Sequence, residues 1–98
     1  MRKPPEQIVF DPRGVVDAEP LALAPRIREP MRMRLGLLDN TKWNASRLLR
    51  KTAARVGEQL VLAAVNYYRK ETFARVADPA LLARIATEND IVLTAIGD

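Results

Sequence analysis

Beyond residue 30 the apolar positions of the chain switch between two periods. Residues 31–34 read Met-Arg-Met-Arg and then give way to the continuous run Leu35-Gly36-Leu37-Leu38. A short unbroken apolar run marks a strand covered on both faces, so a strand is predicted over residues 33–38. Gly36 within it predicts close approach by a neighbouring element. The run stops at Asp39-Asn40-Thr41-Lys42-Trp43-Asn44, and a helical period starts near Asn44 or Ala45, with Asn44 or Thr41 as its N-cap. Leu48, Leu49, Thr52, Ala53, Val56 and Leu60 recur at three- and four-residue spacing and predict one apolar stripe. That helix closes around residues 56–59.

Residues 60–68 supply a second strand, with an ambiguous start because leucine and alanine also extend a helix. Arg69-Lys70-Glu71-Thr72 follows as a polar loop. Asp78-Pro79 pairs an N-cap carboxylate with proline at the first helical position, and Leu81, Leu82, Ile85 and Ala86 mark the buried stripe of a second helix. Asn89-Asp90 closes it. Residues 91–96 form a third, β-branched strand, expected to be buried, which runs into Gly97-Asp98.

Strands alternating with helices predict an α/β fold with a parallel sheet and right-handed crossovers. A flavodoxin- or Rossmann-like half of this kind has strand order 2-1-3. That order sets strands one and three side by side and brings loop 39–42 next to Gly97-Asp98, at a switch point where α/β proteins bind ligands. Three strands are few for this architecture, and covering both faces takes more chain than is present. The half-domain over residues 31–98 therefore reads as incomplete, to be finished by a partner chain.

Residues 1–30 differ in kind. They hold six of the seven prolines, which fix φ and remove backbone donors, so an extended arm is predicted there. Ile8-Val9-Phe10 and Leu21-Ala22-Leu23 are its apolar anchors, expected to lie on a neighbouring surface of its own domain or a partner's.

Composition removes several kinds of chemistry. The 98 residues contain no cysteine and no histidine, which rules out disulfides, thiol catalysis, a Ser-His-Asp triad and the usual zinc ligands within these residues. No metal site or particular cofactor is implied. No apolar run is long enough for a membrane span and no signal peptide is evident, so no membrane is expected and a cytoplasmic protein is the simplest reading. The net charge of +4 comes wholly from residues 31–98, since residues 1–30 hold five basic and five acidic residues. No acidic residue occurs between positions 40 and 57, where Arg47, Arg50, Lys51 and Arg55 line one side of the first helix. This face suits phosphates, as in a small basic module for nucleic acid or another anionic partner, or it is a solvated helix surface. Nucleic acid is the less favoured partner, because Trp43, Tyr67 and Tyr68 are spaced for core or interface packing and not as a base-stacking platform.

The loop motif Leu37-Leu38-Asp39-Asn40-Thr41-Lys42 followed by Asn44-Ala45, the Arg69-Lys70 pair, and a third strand ending Gly97-Asp98 together resemble the UGSC family. Phe10-Asp11-Pro12 and Leu23-Ala24-Pro25-Arg26 resemble its amino-terminal region. The family is named for a Sec/Cys-Gly-Ser-Cys motif that follows directly on such a Gly-Asp. Trp43 departs from the small residue or proline expected there, and the naming motif itself is missing. The resemblance implies a selenol or thiol immediately after Asp98, with redox or nucleophilic chemistry. A selenocysteine codon read as a stop, a split gene and a cleaved precursor each account for its absence; the last two are favoured because a partner would then complete the sheet.

The candidate catalytic residues are Asp39, Lys42 and Asp98; the candidate substrate-binding residues are Asn40, Thr41, Asn44, Arg69 and Lys70. Asp39 and Asn40 bind a polar substrate or orient the thiol, or else shape the turn and cap the helix. Lys42 pairs an anionic group or lowers a thiol pKa, or is a solvated loop lysine. Asn44 is a cap before it is a ligand, and Arg69 and Lys70 are an anion site or a surface pair. Asp98 would stand beside the nucleophile. The chain is thus expected to be a subunit or fragment of a hetero-oligomeric, thiol- or selenol-dependent enzyme, inactive alone. Its partner would be a second polypeptide carrying the motif, with a small-molecule substrate at the shared site.

Overall fold

The computed structural model describes residues 6–14, 18–27 and 32–97. Five elements follow in the order β1 (Met33–Asp39), α1 (Ala45–Gln59), β2 (Leu62–Arg69), α2 (Pro79–Glu88) and β3 (Ile91–Ala95). The sheet is parallel in the order β2-β1-β3, as the alternation of periods predicts. The two crossovers run in opposite directions along the sheet and their helices lie on opposite faces, as a common handedness requires.

Strand β1 is the centre of the core. Leu35 and Leu37 face α1 and pack with Leu49 and Ala53, flanked by Ile91 and Leu93 of β3. Leu38 faces the other way and packs with Tyr68 of β2 and Ile85 of α2. The buried line of α1 is Ala45, Leu49 and Ala53, a strict four-residue repeat. Leu48, one residue off that line, is half exposed. In α2 only Ile85 is fully buried, and Leu82 and Ala86 of the expected stripe face outward. The helix meets the sheet along one narrow seam over β1 and Tyr68.

Strand β2 starts at Leu62 because Leu60 is still taken up as the C-cap of the helix: its N–H donates to the Val56 carbonyl at 2.9 Å. Strand β3 differs from the expectation of full burial. Its residues alternate, and Val92 is 43% exposed, because α2 does not reach across that strand on the second face. The N-cap of α2 is as predicted: the Asp78 carboxylate accepts the Ala80 N–H at 2.9 Å and Pro79 opens the helix.

Gly36 makes room for a side chain. A Cβ there would lie 2.8 Å from Cγ of Asn89, whose buried amide crosses the sheet face. The Asn89 Nδ2 donates to the Tyr68 hydroxyl and to the Ile85 carbonyl, both at 2.9 Å, and its Oδ1 accepts from Asn66 at 3.0 Å. Tyr68 donates in turn to Glu88 at 2.7 Å, and Arg84 holds the same carboxylate. At the amino edge Arg34 grips Asp90 through its backbone N–H and its guanidinium.

Residues 6–14 and 18–27 form neither helix nor strand, and Phe10, Leu21 and Leu23 lie clear of the domain that follows. They do not cover their own domain. The radius of gyration is 20.1 Å, where a compact chain of this length has about 13 Å. Among the described residues no helix is long and apolar enough to cross a membrane.

Two predictions follow from this packing. Gly36→Ala, with no free space at Asn89, should lower unfolding stability by about 1–3 kcal/mol in urea titration. The hydrogen bonds from Arg34 hold the Asp90 carboxyl below its usual value, and those from Tyr68 and Arg84 do the same for Glu88. The native state therefore binds fewer protons than the unfolded chain at acid pH. Stability from these groups is complete above the unfolded carboxyl pKa values of roughly 4 and is lost as pH falls through the lower native values. Thermal melts should show this loss on acidification, and Asp90→Asn should weaken the dependence.

Candidate functional site

The carboxyl edge of the sheet is built outward from Asp39. This residue ends β1 with 4% of its surface exposed and faces the α1 side with Leu35 and Leu37. A buried carboxylate must be satisfied locally. Its Oδ1 accepts the Thr41 N–H at 2.7 Å, and its Oδ2 accepts the Tyr67 hydroxyl. Tyr67 stands opposite Leu37 in the parallel register, so it shares that face. The Arg50 guanidinium of α1 lies over the Tyr67 ring, 4.3 Å from its centroid. Sequence reasoning assigned Tyr67 to packing and missed its hold on Asp39. The signal was register: two positions before Asp39, Leu37 pairs with Tyr67.

Asn40 repeats the turn one residue later. Its Oδ1 accepts the Lys42 N–H at 3.2 Å, while its Nδ2 donates to the Ile96 carbonyl at 2.6 Å. Its backbone N–H donates to Ala95, and the Asp39 carbonyl accepts the Lys70 N–H at 2.9 Å. The loop is thereby tied to the ends of both neighbouring strands. Thr41 takes the left-handed conformation with φ 70°, which strains a β-branched residue by about 1–3 kcal/mol. The two side-chain-to-backbone turns on either side hold it there.

Asn44 also has a left-handed backbone, φ 67°, and its side chain makes no capping bond. Asn44 is the N-cap residue, as expected, and its carbonyl accepts the Leu48 N–H at 2.9 Å, but the left-handed backbone leaves its side chain exposed and outside the capping role. Lys42 sends its ammonium group over the Phe73 ring, 5.6 Å from the centroid, toward the loop after β2. Trp43 is exposed.

Two adjoining clefts open at this edge. One, of about 280 Å3, is lined by Asn40, Lys70, Thr94, Ile96 and Gly97. The other, of about 430 Å3, is lined by Arg69, Lys70, Thr72, Arg75 and Asp78. Lys70 and Ala77 border both. Asp39, Asn40, Thr41 and Lys70 are thus brought together, with Arg69 beside them in register with Asp39. Asp98 lies outside the described residues. Among the described residues no buried side-chain nitrogen or oxygen lacks a partner, and no three potential metal ligands cluster. Of the basic α1 residues, Arg47, Lys51 and Arg55 face solvent, whereas Arg50 is engaged with Tyr67.

No curated protein and no solved structure matches this chain. The model of the UGSC family matches residues 8–98, which takes in loop 39–44, both clefts and most of the amino-terminal arm. The chain belongs to the UGSC family.

Proposed function

We propose that this chain is one component of a thiol- or selenol-dependent α/β enzyme, of redox or nucleophilic type, and supplies one wall of a composite active site. The reacting sulfur or selenium is carried by polypeptide outside these 98 residues, which contain no cysteine. The observation that carries the reading is the bond from Asn40 Nδ2 to the Ile96 carbonyl. It fixes loop 39–42 against the exit of β3, where the 280 Å3 cleft opens. The open sheet supports a partner: among the described residues β2 and β3 each have an unpaired edge, and such an edge invites further pairing.

In this site Asp39 orients the loop, its two oxygens engaged by the Thr41 N–H and the Tyr67 hydroxyl. Asn40 lines the cleft while tying the loop to β3, and Thr41 stands beside it; a substrate here would share their hydrogen bonds. Lys42, Arg69 and Lys70 supply the positive field that favours a thiolate over a thiol and attracts an anionic substrate group. Asp98 would stand beside the nucleophile.

The test is co-expression of this chain with the polypeptide that carries the Cys/Sec-Gly-Ser-Cys motif. The two should purify as one soluble assembly, with turnover that neither shows alone. Lys42→Met with Lys70→Met should raise the thiol's pKa by about one pH unit, read from the pH dependence of alkylation by iodoacetamide. Failure to co-purify, or an unmoved alkylation profile, would overturn the reading. Separately, Tyr67→Phe removes the hydroxyl that satisfies a buried carboxylate, and should cost about 1–3 kcal/mol of stability in urea unfolding.

A further inference from the structure

Two surfaces of this chain are left without a counterpart inside it. The first is the arm. Leu21 and Leu23 are two residues apart in extended chain, so their side chains project to the same side. They are 91% and 93% exposed. The second is a groove of about 690 Å3 between α1 and β2. Helix α1 packs mainly over β1 and β3 and covers this side of β2 only in part, so Val65 is 49% exposed although it points to the same face as Leu35. The helix wall of the groove is Ala53, Ala54 and Gly57, small enough to admit leucine side chains.

The charges match as well. Arg50 and Glu58 line the groove eight residues apart on α1, about 12 Å along the axis. On the arm, Glu19 and Arg26 flank the leucines, seven residues and about 23 Å apart when extended. Long Arg and Glu side chains reach inward over that difference. Glu19 opposite Arg50 and Arg26 opposite Glu58 set a single direction for the arm. Among the described residues none of these four makes an ion pair.

The arm enters the domain beside the groove. The Arg32 N–H donates to the carbonyl of Val61, itself a groove residue. A two-fold axis near that point lets two chains trade arms reciprocally, the simplest closed arrangement for identical subunits. We propose that residues 19–26 of one chain lie in the α1–β2 groove of a second copy, with the exchange repeated about a two-fold axis. This is independent of the composite-site reading.

The absence of cysteine allows a direct test on the full 98-residue chain. Leu23→Cys and Val65→Cys are made as separate variants, mixed and mildly oxidised. The expected product is a disulfide-linked pair containing one of each, absent when either position is changed to serine instead. An arm lying in its own groove would give no mixed pair, and an internally linked monomer from the double variant; a groove filled by some other polypeptide would give neither product. Either result overturns the proposal. By light scattering the unaltered chain should run as a dimer. Leu23→Ser should raise the dissociation constant about tenfold or more, with unchanged circular dichroism. Glu19→Arg should weaken association and Arg50→Glu should restore it in the same chain. A monomeric unaltered chain, or charge variants without effect, would refute the exchange.

Discussion

The chain leaves β1 at a point it cannot move from. Both edges of this strand are bonded, to β2 and to β3, and both of its faces are packed, Leu35 and Leu37 against α1 and Leu38 against Ile85. The residue at its end therefore inherits a fixed position and direction. Asp39 is that residue, and its buried carboxylate converts the position into a loop conformation by accepting Thr41 and Tyr67. The polar turn over residues 39–42 hangs from this one constraint. The strain at Thr41 persists because Asp39 and Asn40 hold the backbone on both sides.

Much of this architecture is legible in the spacing of apolar residues. The change from a period of two to a period of three or four marks each element, and the order of the elements leads to β2-β1-β3. Asp78-Pro79 signals a helix start by its chemistry alone. Where the pattern misleads, the cause is tertiary and not local. Leu48 and Leu82 fit helical stripes, but each helix meets the sheet along a line narrower than its apolar face. Residues 91–96 look like a buried strand, yet burial depends on a neighbour over β3 that α2 does not provide.

The site is legible in outline and not in mechanism. The abrupt end of an apolar run points to loop 39–44, but two details cannot be read there. One is the left-handed Asn44, whose residue type suits a side-chain cap and a left-handed turn equally well. The other is Tyr67, which belongs to an element 28 positions away and meets Asp39 only through strand register. Gly36 shows the same lesson with the opposite outcome. A glycine in a central strand suggests a close neighbour, and the neighbour is the Asn89 side chain.

The two faces of the sheet carry buried polar groups of different kinds, and the contrast bears on which one serves chemistry. The network of Asn66, Asn89, Tyr68, Glu88 and Arg84 joins β2 to the end of α2, and its members bond almost wholly to one another. Burial first, and the bond to Glu88 second, push the Tyr68 hydroxyl pKa up, so it stays a neutral donor. Such a closed network specifies packing. On the other face the Asp39 network is open-ended. It runs from Tyr67 through Asp39 to a strained loop whose Asn40 borders a cleft. Backbone strain of this kind clusters where a fold binds or reacts with something else. That asymmetry, more than any single residue, is what singles out loop 39–42 as the candidate edge for chemistry.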